Sequence, residues 1–147
     1  MRAIGFSFKK INVEKLASNS LDDVKITANM EISEIFSVKP ADLLKPKDEL
    51  LGVRFVYSIS YEPDFAKLAF SGEILLEVDP KAAKEILKSW KESKEILEEF
   101  KMLVFNIILR KCNLKALEIE DEMNLPLHMP MPTVQQDNKD GKETKSN

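Results

Sequence analysis

The chain has one cysteine, Cys112, and one histidine, His128. That pair sets a narrow limit on nucleophilic and metal chemistry. A thiol nucleophile needs a base within hydrogen-bond reach. Cys112 falls on the face of a predicted helix, and His128 lies beyond that helix, so the thiol reads as a small core residue. A zinc site needs three or four ligands in a regular arrangement. The acidic run 118–122 precedes His128 without any helical ligand spacing. Glu73 and Glu77 share one face of a strand and could be imagined as an acid/base pair, but no second feature supports that role and they read as a solvated face. The four glycines, at positions 5, 52, 72 and 141, are not clustered, so no phosphate-cradling loop exists. The residues therefore predict no catalytic group, no cofactor site and no metal site, and the protein is not expected to be an enzyme.

Charge narrows the options further. Twenty-two Lys and Arg stand against 25 Asp and Glu, for a net charge of −3 over 147 residues. The signs are interspersed, which disfavours a general nucleic-acid binder with a basic face. One cysteine cannot form an internal disulfide. The N-terminal apolar run is short and is followed by its lysines, unlike a secretory signal. The most apolar stretch, 102–109, is broken by Asn106 and falls far short of the roughly 20 residues of a membrane span. A cytoplasmic location is expected. The charge is mostly Lys and Glu and the only glutamines are Gln135 and Gln136, a bias typical of heat-adapted proteins.

Two-residue alternation dominates the first half. Over 24–38 the even positions carry Val24, Ile26, Ala28, Met30, Ile32, Phe36 and Val38, with Glu34 as the exception. The odd face is polar except for Ile35. This predicts a long half-buried strand with a bulge or bend at Glu34. The odd positions of 51–61 and the even positions of 66–78 predict two more strands, joined by the tight connection Glu62-Pro63-Asp64. Gly72 is expected where the sheet bends or another backbone comes close. Ile4, Phe6 and Phe8 predict a shorter first strand. Short connections favour antiparallel neighbours, so the expectation is a four-stranded meander in sequence order. Helical turns are expected at 13–17 and 41–44.

The alternation stops at Asp79-Pro80, a good helix cap followed by a good first helical residue. Ala83, Ile86, Leu87 and Trp90 predict one amphipathic helix. A longer one follows, with Phe100, Leu103, Val104, Ile107 and Ile108 on one stripe and Met102, Phe105, Leu109 and Cys112 on another. Two stripes imply burial on two sides, the second against a further element or a second subunit. The helix must end by Asn124. Prolines at 126, 130 and 132 then force an extended strip whose apolar residues need something to cover. Residues 135–147 hold no apolar side chain, so the domain is placed at 1–134 and a polar disordered tail at 135–147.

The order of elements, the stretch FKMLVFNIILR at 100–110 and the strip NLPLHMPMPTV at 124–134 resemble the SecB family of export chaperones and the SecB-like chaperones tied to toxin–antitoxin systems. Leu125-Pro126-Leu127 with Pro130 or Pro132 corresponds to the family's aromatic-Pro-x-Leu-x-Leu-x-Pro loop. Two features depart from it: the family commonly has a further helix after that loop, and the helix at 80–92 is additional. The resemblance implies an α+β fold with two C-terminal helices, assembly into dimers or tetramers, and nucleotide-independent binding of unfolded polypeptides. Ile35, on the polar sheet face, with Leu125, Leu127, Met129 and Met131 on the strip, are the candidate polypeptide-binding residues. A small apolar-ligand-binding domain and a structural or adaptor protein are the alternatives.

Overall fold

The computed structural model describes residues 1–16, 23–39 and 47–136. Four antiparallel strands precede two helices: β1 (Arg2–Lys15), β2 (Lys25–Val38), β3 (Glu49–Glu62), β4 (Ala66–Val78), α1 (Pro80–Ser93) and α2 (Glu98–Glu122). The expected α+β class holds. The expected turn at 41–44 and the tail beyond 136 lie outside the described residues.

The strand order is β1-β4-β3-β2, which corrects the meander expectation. β2, β3 and β4 do follow one another. β1, however, pairs with β4 along Arg2↔Glu77 to Lys15↔Ala66, so the chain crosses from one edge of the sheet to the other between β1 and β2. The strands are separated in sequence by residues 16–24, of which 17–22 lie outside the described residues. A chain of that length can extend roughly 30 Å, whereas three strand spacings are only about 14 Å. The connection length was therefore compatible with both orders, and side-chain alternation carries no information on which neighbour a strand takes.

β1 is also longer than its apolar pattern suggested. Its register slips between Ala3 and Gly5 and again between Phe8 and Lys10. Each slip moves the inward positions by one: Phe6 and Phe8 face Ile74 and Gly72, then Ile11 and Val13 face Phe70 and Leu68. The phase change at the second bulge made the strand look finished and Val13 look helical. The expected turn at 13–17 is corrected accordingly: Val13 is strand.

The same device corrects Ile35. A bulge between Ile32 and Glu34 switches the inward face of β2 from even to odd positions. Ile32 opposes Phe55, and Ile35 then opposes Val53 in the core, at 5% exposure. Glu34 is the expected bulge marker. Phe36 is turned outward over Gly52, where an added Cβ would sit 2.4 Å from the ring. Arg54 stacks on the same ring at 4.7 Å from its centroid.

The inward residues of β3 and β4 form the floor of the core, with Phe6, Phe8, Phe55, Phe70 and Tyr57 in successive ring contacts of 5.0–6.1 Å. Gly72 fits its expectation: a Cβ there would meet the Ser7 carbonyl oxygen at 2.3 Å and the Phe55 ring at 2.9 Å. The helices cover this face, α1 over β2 and β3, α2 over β3 and β4. Asp79 accepts from the Ala82 amide and Pro80 opens α1, as expected. In α2 the fully buried residues recur every fourth position, Phe100, Val104, Ile108, Cys112, Ala116 and Glu120. Met102 and Leu109, from the expected second stripe, remain exposed in the single chain.

The placement of Ile35 has a direct check. Truncation of a core aliphatic typically lowers stability by about 2–5 kcal/mol, against about 0.5 kcal/mol at an ordinary surface position. Ile35→Ala is expected to lower the urea midpoint by the larger amount. A midpoint within error of the parent would return Ile35 to the surface.

Candidate functional site

α2 ends in a hydrogen-bonded reversal. Asn124 takes φ 53 in the left-handed region, which asparagine tolerates better than most residues. The Leu125 amide donates to the Glu120 carbonyl at 2.8 Å and the Asn124 amide to the Asp121 carbonyl at 3.4 Å, the paired closure of a Schellman motif. Leu125 is thereby tucked into the core, and the chain after it runs back beside α2. Lys15 of β1 caps the turn by donating to the Met123 carbonyl at 3.0 Å.

This reversal brings His128 against Glu120. The Glu120 carboxylate has no solvent exposure and is the buried charged residue among those described. Its Oε2 accepts from the Tyr61 hydroxyl and from the His128 amide at 3.1 Å, while Oε1 faces His128 Nδ1 at 2.7 Å. The other ring nitrogen, Nε2, lies 3.0 Å from Asn113 Oδ1, which also accepts from the Tyr57 hydroxyl at 2.7 Å. Both ring nitrogens thus face acceptor oxygens. No buried side-chain nitrogen or oxygen among the described residues lacks a partner.

Around this cluster the titrations move in one direction. Burial, with the Cys112 and Glu120 charges adding, pushes the Tyr57 phenol up to about 12. Burial, then the hydrogen bond to Glu120, raises Tyr61 well above the usual tyrosine range. Burial pushes the Cys112 thiol up to about 12 as well, which makes it a poor nucleophile and fits its reading as a core residue. No group of three or more metal-ligating side chains is found among the described residues.

Two surfaces are candidates for binding. The strip places Leu127, Met129 and Met131 outward, with Met131 at 51% exposure, whereas Leu125 is buried. Of the five expected binding residues, the structure therefore brings three to the surface together and puts Ile35 and Leu125 in the core. The second surface was not anticipated. A cleft of about 790 Å³ opens beside the edge strand β2, lined by apolar Met30, Ile32, Trp90, Ile96 and Phe105 and by polar Glu31, Ser33, Lys94, Glu95 and Lys101. Each lysine lies over an aromatic ring, Lys94 over Trp90 at 4.8 Å and Lys101 over Phe105 at 5.4 Å. On the outer sheet face, Glu34, Arg54, Glu73 and Lys9 form a ladder across all four strands at 2.5, 2.8 and 3.6 Å. Hydrogen bonding to Arg54 holds the Glu73 carboxyl below its ordinary value.

The sequence held a signal for the Glu120 cluster. Glu120 continues the every-fourth-residue row of α2, and two inward tyrosines on β3 each need a partner for their hydroxyl. Nothing in the spacing, however, showed that His128 would be the residue meeting them.

Comparison with solved structures places this fold beside the SecB-like chaperone Rv1957 of Mycobacterium tuberculosis, solved in complex with a ChAD peptide from the Rv1956 HigA1 antitoxin. The match has a TM-score of 0.52, covers 92% of this chain and 91% of that one, and shows 10% sequence identity. No protein-family profile matches the sequence, and no curated protein does. The likeness is one of fold: a SecB-like α+β arrangement of four antiparallel strands and two helices.

The tyrosine shifts predict an alkaline limit. A phenol whose folded pKa is raised contributes stability that is complete below its unfolded value of about 10 and is lost as pH climbs toward about 12. Thermal midpoints should therefore fall across that window, and Tyr57→Phe should shallow the fall. An identical slope in Tyr57→Phe would show that Tyr57 does not contribute.

Proposed function

We propose that this protein is a SecB-like, nucleotide-independent holdase, a cytoplasmic binder of non-native polypeptides that performs no covalent chemistry. The observation that carries this reading is the likeness of fold, along nearly the whole of both chains, to a chaperone solved with a peptide bound. The apolar surfaces support it. Leu127, Met129 and Met131 offer adaptable contact area, and methionine suits clients of varied sequence. The cleft adds an aromatic recess next to the free edge of β2, where backbone groups of an extended client could pair.

Self-association belongs to the same proposal. Met102, Leu109 and Leu114 are exposed along α2, at 57%, 40% and 61%. Met102 and Leu109 belong to the expected second stripe of the helix, whose Cys112 is buried, and a second copy of the chain would cover the exposed residues. No helix among the described residues is long and apolar enough to cross a membrane.

The test is aggregation of a chemically unfolded protein, followed by turbidity, with the mass of the chaperone read by light scattering in the same sample. Suppression at a small number of subunits per client chain, by a dimer or tetramer, is the expected result. The Met129→Ser/Met131→Ser double variant, which leaves the core intact, should need severalfold more protein for the same effect. Absence of suppression at large excess would overturn the holdase reading. A small molecule then retained in native mass spectrometry would favour the cleft as a ligand site.

A further inference from the structure

The attachments of the C-terminal strip converge on one residue. Among the described residues, the hydrogen bonds that tie 126–136 to the rest of the fold all come from His128: its amide and Nδ1 to Glu120, and its Nε2 to Asn113. Residues 129–136 are exposed throughout. Upstream, Leu125 is fixed separately by the helix cap. The hydrogen bonds of the described strip therefore all run through His128, and two of the three end on a carboxylate without solvent access.

We infer that Glu120 and His128 form a proton-operated latch: the strip stays docked while the Glu120 carboxylate is ionised, and protonating it sets the strip free. Three donors converge on the two carboxylate oxygens, the Tyr61 hydroxyl, the His128 amide and the His128 ring. A neutral carboxyl places its own proton among them, so a donor loses its acceptor where water cannot replace it. His128 Nδ1 also loses the carboxylate it faces at 2.7 Å. Tyr61 is anchored by the sheet and Glu120 by the helix. The strip is the partner free to leave.

The other charged and titratable groups near the cluster do not change in acid. Tyr57 and Tyr61 face it from β3 and Cys112 from α2, and burial raises all three. Lys15 reaches the Met123 carbonyl from β1 as a hydrogen-bond donor. Release would swing Leu127, Met129 and Met131 away from the domain. The latch does not depend on the holdase reading, since docking is a property of the free protein.

The single histidine makes the test clean. In the full chain labelled with nitrogen-15, the ring signals of His128 and the amides of 126–136 are followed during titration from neutral pH downward. The expected result is one transition shared by the ring and the strip, with the amides of β3 and β4 unmoved. Glu120→Gln, which mimics the neutral carboxyl, should release the strip at neutral pH and speed hydrogen exchange of the His128 amide about tenfold or more. Strip amides that hold until the sheet itself unfolds would overturn the latch, as would a His128 amide that stays protected in folded Glu120→Gln. If that variant does not fold, the titration of the parent chain decides.

Discussion

A carboxylate with no access to water must be met by donors from the protein, and Glu120 is met from three directions. Tyr61 reaches it from the sheet, the helix α2 carries it, and His128 reaches it from the strip. Leaving such a group without one partner costs about 1–3 kcal/mol or more for a charge. The sheet, the long helix and the C-terminal strip are thus positioned relative to one another by one side chain. Asn113 extends the tie by joining the other ring nitrogen of His128 to Tyr57. These directional contacts set the end of the helix over the inner sheet face, and apolar packing fills the space between.

The bulges shape the surfaces. Each shifts the inward face of a strand by one residue, at Phe8/Lys10 in β1 and at Ile32/Glu34 in β2. Both lie on edge strands, where a bulge disturbs one ladder only. In β2 the shift takes Ile35 into the core and puts Phe36 and Glu34 outside, where Arg54 meets both. Arg54 and its ladder are well exposed, so their contribution to stability is small. They keep the outer face polar around Phe36.

Binding by non-covalent contact needs apolar area that the protein does not consume in its own core. Here that area lies on the rim of the fold: the strip after Leu125, the cleft beside β2 and the outer stripe of α2. The buried core itself runs from Ile32 to Leu125. Among the described residues, β1 and β2 are the two edge strands of the sheet. The second of these borders the cleft, so backbone pairing and an aromatic recess are available to one extended segment.

Much of this was legible in the residues themselves. Alternation specified β3 and β4 and most of β2, because one buried face enforces a period of two. Asp79-Pro80 specified where α1 begins, and Asn124 before Leu125-Pro126 specified where α2 ends, because caps and prolines act locally. The outward placement of Leu127, Met129 and Met131 was also anticipated. Three things required the tertiary structure. The order of strands depends on which edges meet, and alternation is the same for either neighbour. The fate of Ile35 depends on a bulge that Glu34 marked in the sequence, but only the strand pairing shows that this bulge turns Ile35 inward rather than merely bending the strand. The meeting of Glu120 with His128 depends on a left-handed turn at Asn124 that folds the chain back on the helix, and no spacing in the sequence encodes that direction.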